Sequence, residues 1–150
     1  MKKIIPPHQV KSREVTEADI ARVLEDAKTM QGIVGGICVA LAHSQIENND
    51  PLRFFVTKNS EIIINPTITR HSGYTVDSEE GCMTYPERGG LIKQRWRRIE
   101  VEYQTIKDGK LTEVESNDLK ALPAFIFQHE IDHFDAIYCY DNGTENKDTN

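Results

Sequence analysis

The chain has 150 residues, 38% hydrophobic and 7% aromatic, which suits one domain, residues 1–150, with a real core. A net charge of −6 and a pI near 5.4 argue against a protein that wraps a nucleic acid backbone. No apolar run approaches the ~20 residues of a membrane span, no apolar segment of a secretory signal follows Lys2 and Lys3, and Cys38, Cys82 and Cys139 cannot all pair within one chain, so a reducing cytoplasm is the expected location.

From Thr16 to about Gln31 the pattern predicts a helix, with Thr16 as N-cap and Asp19 at the third helical position. Ile20, Val23, Leu24 and Ala27 form its apolar stripe, and Gly32, Gly35 and Gly36 are expected to end it. Residues 39–42 are short and apolar and read as a strand entering the core. Residues 52–57 and 61–64 read as strands separated by Lys58-Asn59-Ser60, and 68–77 is a weaker strand candidate. Glu79-Glu80-Gly81-Cys82 reads as a turn. Residues 91–104 hold one or two strands, since Ile99, Val101 and Tyr103 alternate with charged or polar neighbours. Lys93, Arg95, Arg97 and Arg98 surround Trp96 and read as the solvated face of such a strand. Asp108-Gly109 is a hairpin signal. Pro123 suits the first turn of a helix running to about Asp135, and 141–150 is a polar tail expected to be disordered. Strands followed by one late helix predict an α+β domain.

The late helix carries His129-Glu130-Ile131-Asp132-His133. Residues four apart share a helix face, so His129 and His133 can offer two imidazole nitrogens to one metal ion. Glu130 stands beside the first, where a carboxylate can take a proton from an activated water. The alternative is two partly exposed histidines on an amphipathic helix. A catalytic metal needs a third protein ligand and an open position. Only 17 residues follow His133, a poor place for a downstream glutamate ligand. Cys139 occupies the position where a third histidine six residues on would stand. Upstream, Cys82 lies between Gly81 and a turn ending in Pro86, well placed to project a thiolate; taken alone it reads as a small buried hydrophobe sooner than as a ligand. A thiolate with two imidazoles suits Fe2+, Zn2+, Co2+ or Ni2+.

Glu80-Gly81-Cys82 together with Gln128-His129-Glu130-Ile131-Asp132-His133 resembles the second and third motifs of peptide deformylases. The resemblance extends over residues 16–141. It implies mixed and antiparallel sheets packed around a central C-terminal helix that carries the metal motif. The family's first motif, G-x-G-L-A-A-x-Q, matches Cys38 to Gln45 at Leu41, Ala42 and Gln45. Both glycines are replaced, by Cys38 and Ala40, and His43 stands for the second alanine. Met83 and Thr84 replace the usual leucine and serine, the N-terminal stretch is reduced, and the C-terminal extension helix of many bacterial members is absent.

The resemblance implies removal of the formyl group from N-formyl-methionyl peptides as nascent proteins leave the ribosome, with release of formate. Its metal, Fe2+ in the first place, would be held by Cys82, His129 and His133. Glu130 would act as proton shuttle, with the Gln45 side-chain amide and the Met83 backbone N–H donating to the oxyanion. Ala40 and Phe125 would line the substrate site, the first crowding the peptide and the second narrowing the methionine pocket. Asp132 would tether the helix to an arginine such as Arg95, while His43 reads as a packed or hydrogen-bonded histidine outside the metal set. A different reading is a protein that keeps the metal but binds peptides or other acylated amines with weak or altered turnover. A third, a small zinc peptidase, is disfavoured by the Cys82 motif. No specific nucleic acid and no membrane is expected as a partner.

Overall fold

The structure, a computed structural model, describes residues 10–37, 39–81, 90–137 and 144–145. Cys82, Met83 and Cys38 lie outside the described residues. Thr16 starts the first helix as its sequence implies. Its backbone N–H donates to the Asp19 carboxylate at 2.9 Å, and a 3-10 turn, Glu17–Asp19, leads into α1, Ile20–Ile37. Val23, Ala27, Met30 and Val34 form its buried stripe, whereas Leu24 turns outward. The helix runs through Gly32 instead of stopping there. A mid-helix glycine costs about 1 kcal/mol, and burial of Val34 beyond it returns about 1.5–3 kcal/mol.

The chain continues through β1 (Ala40–Ala42), β2 (Phe54–Thr57), β3 (Ile62–His71), β4 (Thr75–Glu80), β5 (Leu91–Trp96) and β6 (Arg98–Gln104). It then forms β7 (Ile106–Lys107), β8 (Lys110–Leu111), β9 (Glu115–Lys120), α2 (Leu122–Phe134) and β10 (Thr144–Glu145). One sheet has the order β1-β2-β3-β6-β9, a second β10-β5-β4, and β7-β8 is a separate hairpin. All these ladders are antiparallel; among the described residues the parallel contact is an isolated bridge between Arg13 and Leu52.

The five-stranded sheet lies between the two helices, and side-chain alternation divides its core. Leu41, Phe54, Val56 and Ile64 pack with the α1 stripe. Ala40, Ala42, Phe55, Ile63, Ile99 and Val101 pack with Ala124, Phe127 and Phe134 of α2. The hairpin at Asp108-Gly109 has φ of 52° and 75° at its two central residues, the primed-turn geometry that this dipeptide favours. β3 is longer than its sequence suggests because it absorbs Pro66 at an irregularity between Ile64 and Thr67. Asn65 adopts φ 51° there, and its side-chain amide pairs with both Val15 N–H (2.9 Å) and Val15 C=O (3.0 Å).

Two readings are corrected. Glu79 and Glu80 belong to β4, paired with Ile92 and Leu91, and not to a turn. Lys93 and Arg95 are buried on the inner face of β5, while Arg98 is exposed and pairs with Asp118. Lys93 and Arg95 share the inner face of β5 by alternation, whereas Arg98 begins β6, so the basic cluster is divided between two strands. Of the polar tail, Thr144–Glu145 pair with Ile92 and Leu91, and the rest lies outside the described residues.

Candidate metal centre

α2 is locked to the sheets before its histidines are reached. Pro123 sits in the first turn, where its missing N–H costs nothing. Gln128 acts as a peptide surrogate: its Oε1 accepts from Trp96 N–H at 2.9 Å, and its Nε2 donates to the carbonyls of Trp96 (2.8 Å) and Ala124 (3.1 Å). One helical position later, His129 meets Glu80 of β4.

A buried ionic cluster then sets the His129 ring. Arg95 grips Glu80 with two bonds, Nε to Oε2 at 2.9 Å and Nη2 to Oε1 at 2.8 Å, and reaches Asp132 Oδ2 at 2.6 Å with Nη1. The expected tether from Asp132 is thus present. Glu80 Oε1 lies 2.8 Å from His129 Nδ1. Burial alone would raise the Glu80 carboxyl, but hydrogen bonds from Arg95 and His129, together with their charges, bring it down to about 2. It is therefore a carboxylate that accepts the Nδ1 proton, which directs Nε2 to be the ligating nitrogen when the ring is neutral. His133 reaches the same state by another route. Its Nδ1 lies 3.1 Å from the Ile137 carbonyl, which can only accept, so Nδ1 carries the proton and Nε2 is again the ligating nitrogen. Burial, then the neighbouring His129, pushes His133 far below its ordinary range, which keeps it neutral.

Glu130 completes the group. The ligand-capable atoms of His129, Glu130 and His133 lie within 4.8 Å of one another. Glu130 Oε2 is 4.0 Å from His129 Nε2, and Oε1 is buried without a hydrogen-bond partner among the described residues. Burial pushes the Glu130 carboxyl up to about 7. A buried acceptor with no partner among the described residues, beside two imidazoles whose Nδ1 atoms are turned away from it, is unfavourable by itself and fits a site built around a cation and a proton donor such as water. The residues present thus fit a divalent metal ion.

The first-motif segment forms the facing wall. A 3-10 turn, His43–Gln45, follows β1. Gln45 is buried, and its Oε1 accepts from Ala42 N–H at 2.9 Å, so the polar end it can present is the amide N–H. Ser44 Oγ donates to the carbonyl of His133 at 3.4 Å, joining the turn to α2. Ala40 packs into the cluster under α2 and does not project from the strand edge. Phe125 is half-buried and belongs to neither apolar cluster.

Of the residues singled out in the sequence, the structure brings together His129, Glu130 and His133, and sets Gln45 on a turn bonded to the same helix. Cys82 and Met83 fall outside the described residues. Sequence reasoning missed Glu80 as the partner of His129, and Gln128 as the clamp on β5. A carboxylate just before the cysteine motif was the available signal for the first.

A His-x-x-x-His pair, ring-oriented from behind and flanked by a buried carboxylate, defines a metal-dependent hydrolase of the α+β type, with its metal motif on a helix packed against antiparallel strands. The polypeptide deformylase family model matches residues 5–149, and the chain belongs to this family. It is 34% identical over 131 residues to a peptide deformylase of Thermotoga neapolitana, covering 85% of this chain and 72% of that one. It is 32% identical to peptide deformylase 2 of Clostridium perfringens, covering 85% and 79%. A match to chloroplastic peptide deformylase 1B of Solanum lycopersicum spans 56% of this chain but only 28% of that longer protein, at 36% identity. Among solved structures, the Thermotoga maritima peptide deformylase superposes with a TM-score of 0.80 at 29% identity, covering 94% of this chain and 96% of that one. The deformylase of the Vibrio parahaemolyticus bacteriophage VP16T, solved with actinonin, gives 0.75 at 28% identity, covering 91% and 98%.

Proposed function

We propose that the protein removes the formyl group from N-formyl-methionyl peptides of nascent proteins in the cytoplasm, releasing formate. The ribosome would be a transient partner. The observation that carries this reading is the paired tautomer. Glu80 and the Ile137 carbonyl each engage an Nδ1, so each ring directs its Nε2 to act as the ligand, and a Glu130 oxygen with no partner among the described residues lies within the same group.

His129 and His133, with the Cys82 thiolate, would hold one divalent ion, Fe2+ by preference, with Zn2+, Ni2+ or Co2+ as substitutes. When bound, such an ion supplies Lewis acidity at water and at the formyl oxygen. Glu130 accepts the proton of the attacking water at its carboxylate and delivers it to the leaving amine nitrogen as the C–N bond breaks. The Gln45 amide N–H and the Met83 backbone N–H donate to the formyl oxygen as it gains charge, each contributing about 3–4 kcal/mol. Burial around Glu130 and His133 excludes bulk water and strengthens these contacts.

The alternative of retained metal with weak or altered turnover rested on crowding by Ala40. In the fold its methyl group lies in the core under α2, perpendicular to the hydrogen-bonding edge of β1, which favours ordinary turnover. The deciding experiment is formate release from a formyl-methionyl peptide by the Fe2+ or Co2+ protein. Glu130→Gln should lower kcat roughly 10²-fold or more with metal content retained. Absence of formate release from fully loaded protein refutes the reading.

A further inference from the structure

His43, which stands where the family pattern has a small residue, is completely buried and has both ring nitrogens committed. Its Nδ1 accepts from the Leu52 backbone N–H at 2.9 Å. The ring proton is therefore on Nε2, which donates to Asp26 Oδ2 on α1 at 2.8 Å. The ring also stacks on Phe54, centroid to centroid at 4.6 Å. The His43 carbonyl accepts from Asn48 Nδ2 at 3.0 Å and from Ile46 N–H at 3.3 Å. Asp26 is approached by Arg22 at 3.8 Å. Arg22 pairs with Asp50 at 3.0 Å, and Asp50 with Arg13 at 2.8 Å. A line of ion pairs thus runs from the start of the domain to this one imidazole.

His43 is also the first residue of the turn that ends in Gln45. We propose that the His43–Asp26 pair is a positioning device for Gln45, fixing the turn so that its amide N–H faces the reacting carbonyl. An apolar side chain of similar volume would fill the same space without the cost of burying a carboxylate. What a fully satisfied polar pair adds is a single geometry. Three of its contacts come from different elements: Asp26 from α1, Leu52 from the segment before β2, and Phe54 from β2. Rotation of the turn breaks at least one of them. Gln45 is held at its other end by Ala42 N–H, and Ser44 by His133 C=O, so the turn has little freedom left. Misplacement of a catalytic donor by ~1 Å can cost about 10²-fold in rate.

The proposal rests on Gln45 being the oxyanion donor, and the test separates the two claims. Kinetics with a formyl-methionyl peptide are measured for His43→Phe, Asp26→Ala, Asp26→Asn, Gln45→Leu and the His43→Phe/Gln45→Leu double variant, each with metal content determined. His43→Phe and Asp26→Ala should lower kcat roughly ten- to a hundredfold, with KM changed less than about threefold and metal content retained. Asp26→Asn keeps an oxygen for the Nε2 proton and should restore most of kcat. In the Gln45→Leu background, His43→Phe should lower kcat further by less than about twofold, because two changes acting through one group are not additive. The 15N shifts of the wild-type ring should report Nε2 as the protonated nitrogen. Unchanged kcat with a lowered Tm makes the pair merely structural and overturns the proposal, as do losses that multiply in the double variant. If Gln45→Leu leaves kcat unchanged, the role of Gln45 fails and the positioning claim fails with it. Should His43→Phe not fold, the Asp26→Ala and Asp26→Asn pair decides the matter.

Discussion

Glu80→Gln tests the ionic cluster behind His129. Glu80 accepts three charge-assisted bonds: Oε1 serves His129 Nδ1 and Arg95 Nη2, both at 2.8 Å, and Oε2 serves Arg95 Nε at 2.9 Å. Glutamine has one acceptor oxygen. Its better orientation keeps that oxygen at the Oε1 position and sets an NH2 against Arg95 Nε inside a buried cluster. Its worse orientation sets the NH2 against His129 Nδ1, which can be relieved only by moving the ring proton to Nε2, the nitrogen needed for a metal. One lost bond to a charged group plus an unsatisfied buried donor amounts to about 2–4 kcal/mol. At about 2–4 °C per kcal/mol for a domain of this size, Tm should fall by about 4–16 °C. Loss of the carboxylate behind a ligating histidine should weaken metal binding about 10–100-fold. Scanning calorimetry of the metal-free protein reads the first quantity, and chelator competition with Co2+ or Zn2+ reads the second. A lowered Tm with unchanged metal affinity refutes the argument that Glu80 sets the ligating tautomer; no change in either refutes the cluster itself.

Glu130→Leu removes the buried oxygen that has no partner among the described residues and should raise the stability of the metal-free protein by about 1–3 kcal/mol in denaturant titration while abolishing formate release. Ala121, just before α2, holds φ 59° and ψ −134°, a region open essentially to glycine. Ala121→Gly should therefore gain about 1 kcal/mol, since relief of strain exceeds the added unfolded-state entropy, and thermal denaturation checks it. Phe125→Ala should lower KM or raise kcat for formyl-methionyl peptides if the half-buried ring narrows the methionine pocket, whereas Ala40→Gly, cut from the packed cluster, should lose stability without kinetic gain. Steady-state kinetics with peptides of increasing first side chain separate the two.

The elements legible in the sequence are those whose signals are local. Thr16 with Asp19, Asp108-Gly109 and Pro123 each determine the backbone within four residues, and each lies where expected. The metal pentad is local in the same sense, because helix periodicity alone places His129 and His133 on one face. β9 was missed because Glu115-Ser116-Asn117-Asp118 has little strand propensity. It forms through its ladder with β6, Tyr103 opposite Glu115 through Arg98 opposite Lys120, at an outer edge of the sheet where polar side chains are at home. Glu80 was assigned to a turn because Gly81 follows it. Its strand state depends on pairing with Leu91, and its bond to His129 spans 49 positions. No local pattern says which of the many carboxylates meets a given imidazole. Gly32 shows the same effect in reverse, since a breaker is overridden when the next turn buries an apolar side chain.

The two walls of the site are held by different physics, and this bears on where the chain departs from its family. The α2 wall is fixed by a backbone-like clamp, Gln128 on Trp96, and by one arginine that joins Glu80 and Asp132. Glu80, Gln128 and Asp132 lie at motif positions that resemble the family pattern, and Arg95 and Trp96 lie on β5. The facing wall carries the replacements Ala40 and His43. Ala40 is absorbed by core packing, and His43 is absorbed by a new polar pair with α1. The ring-orienting contacts of His129 and His133, to Glu80 and to the Ile137 carbonyl, involve neither replacement. Divergence in this chain should therefore appear in transition-state stabilisation and peptide fit, not in metal affinity. Relative to a deformylase with the unaltered first motif, chelator competition should give a similar metal constant, while any difference in kcat/KM should follow substitutions at 43 and 125. A metal constant that changes with substitutions in the first motif would show that the two walls are coupled after all.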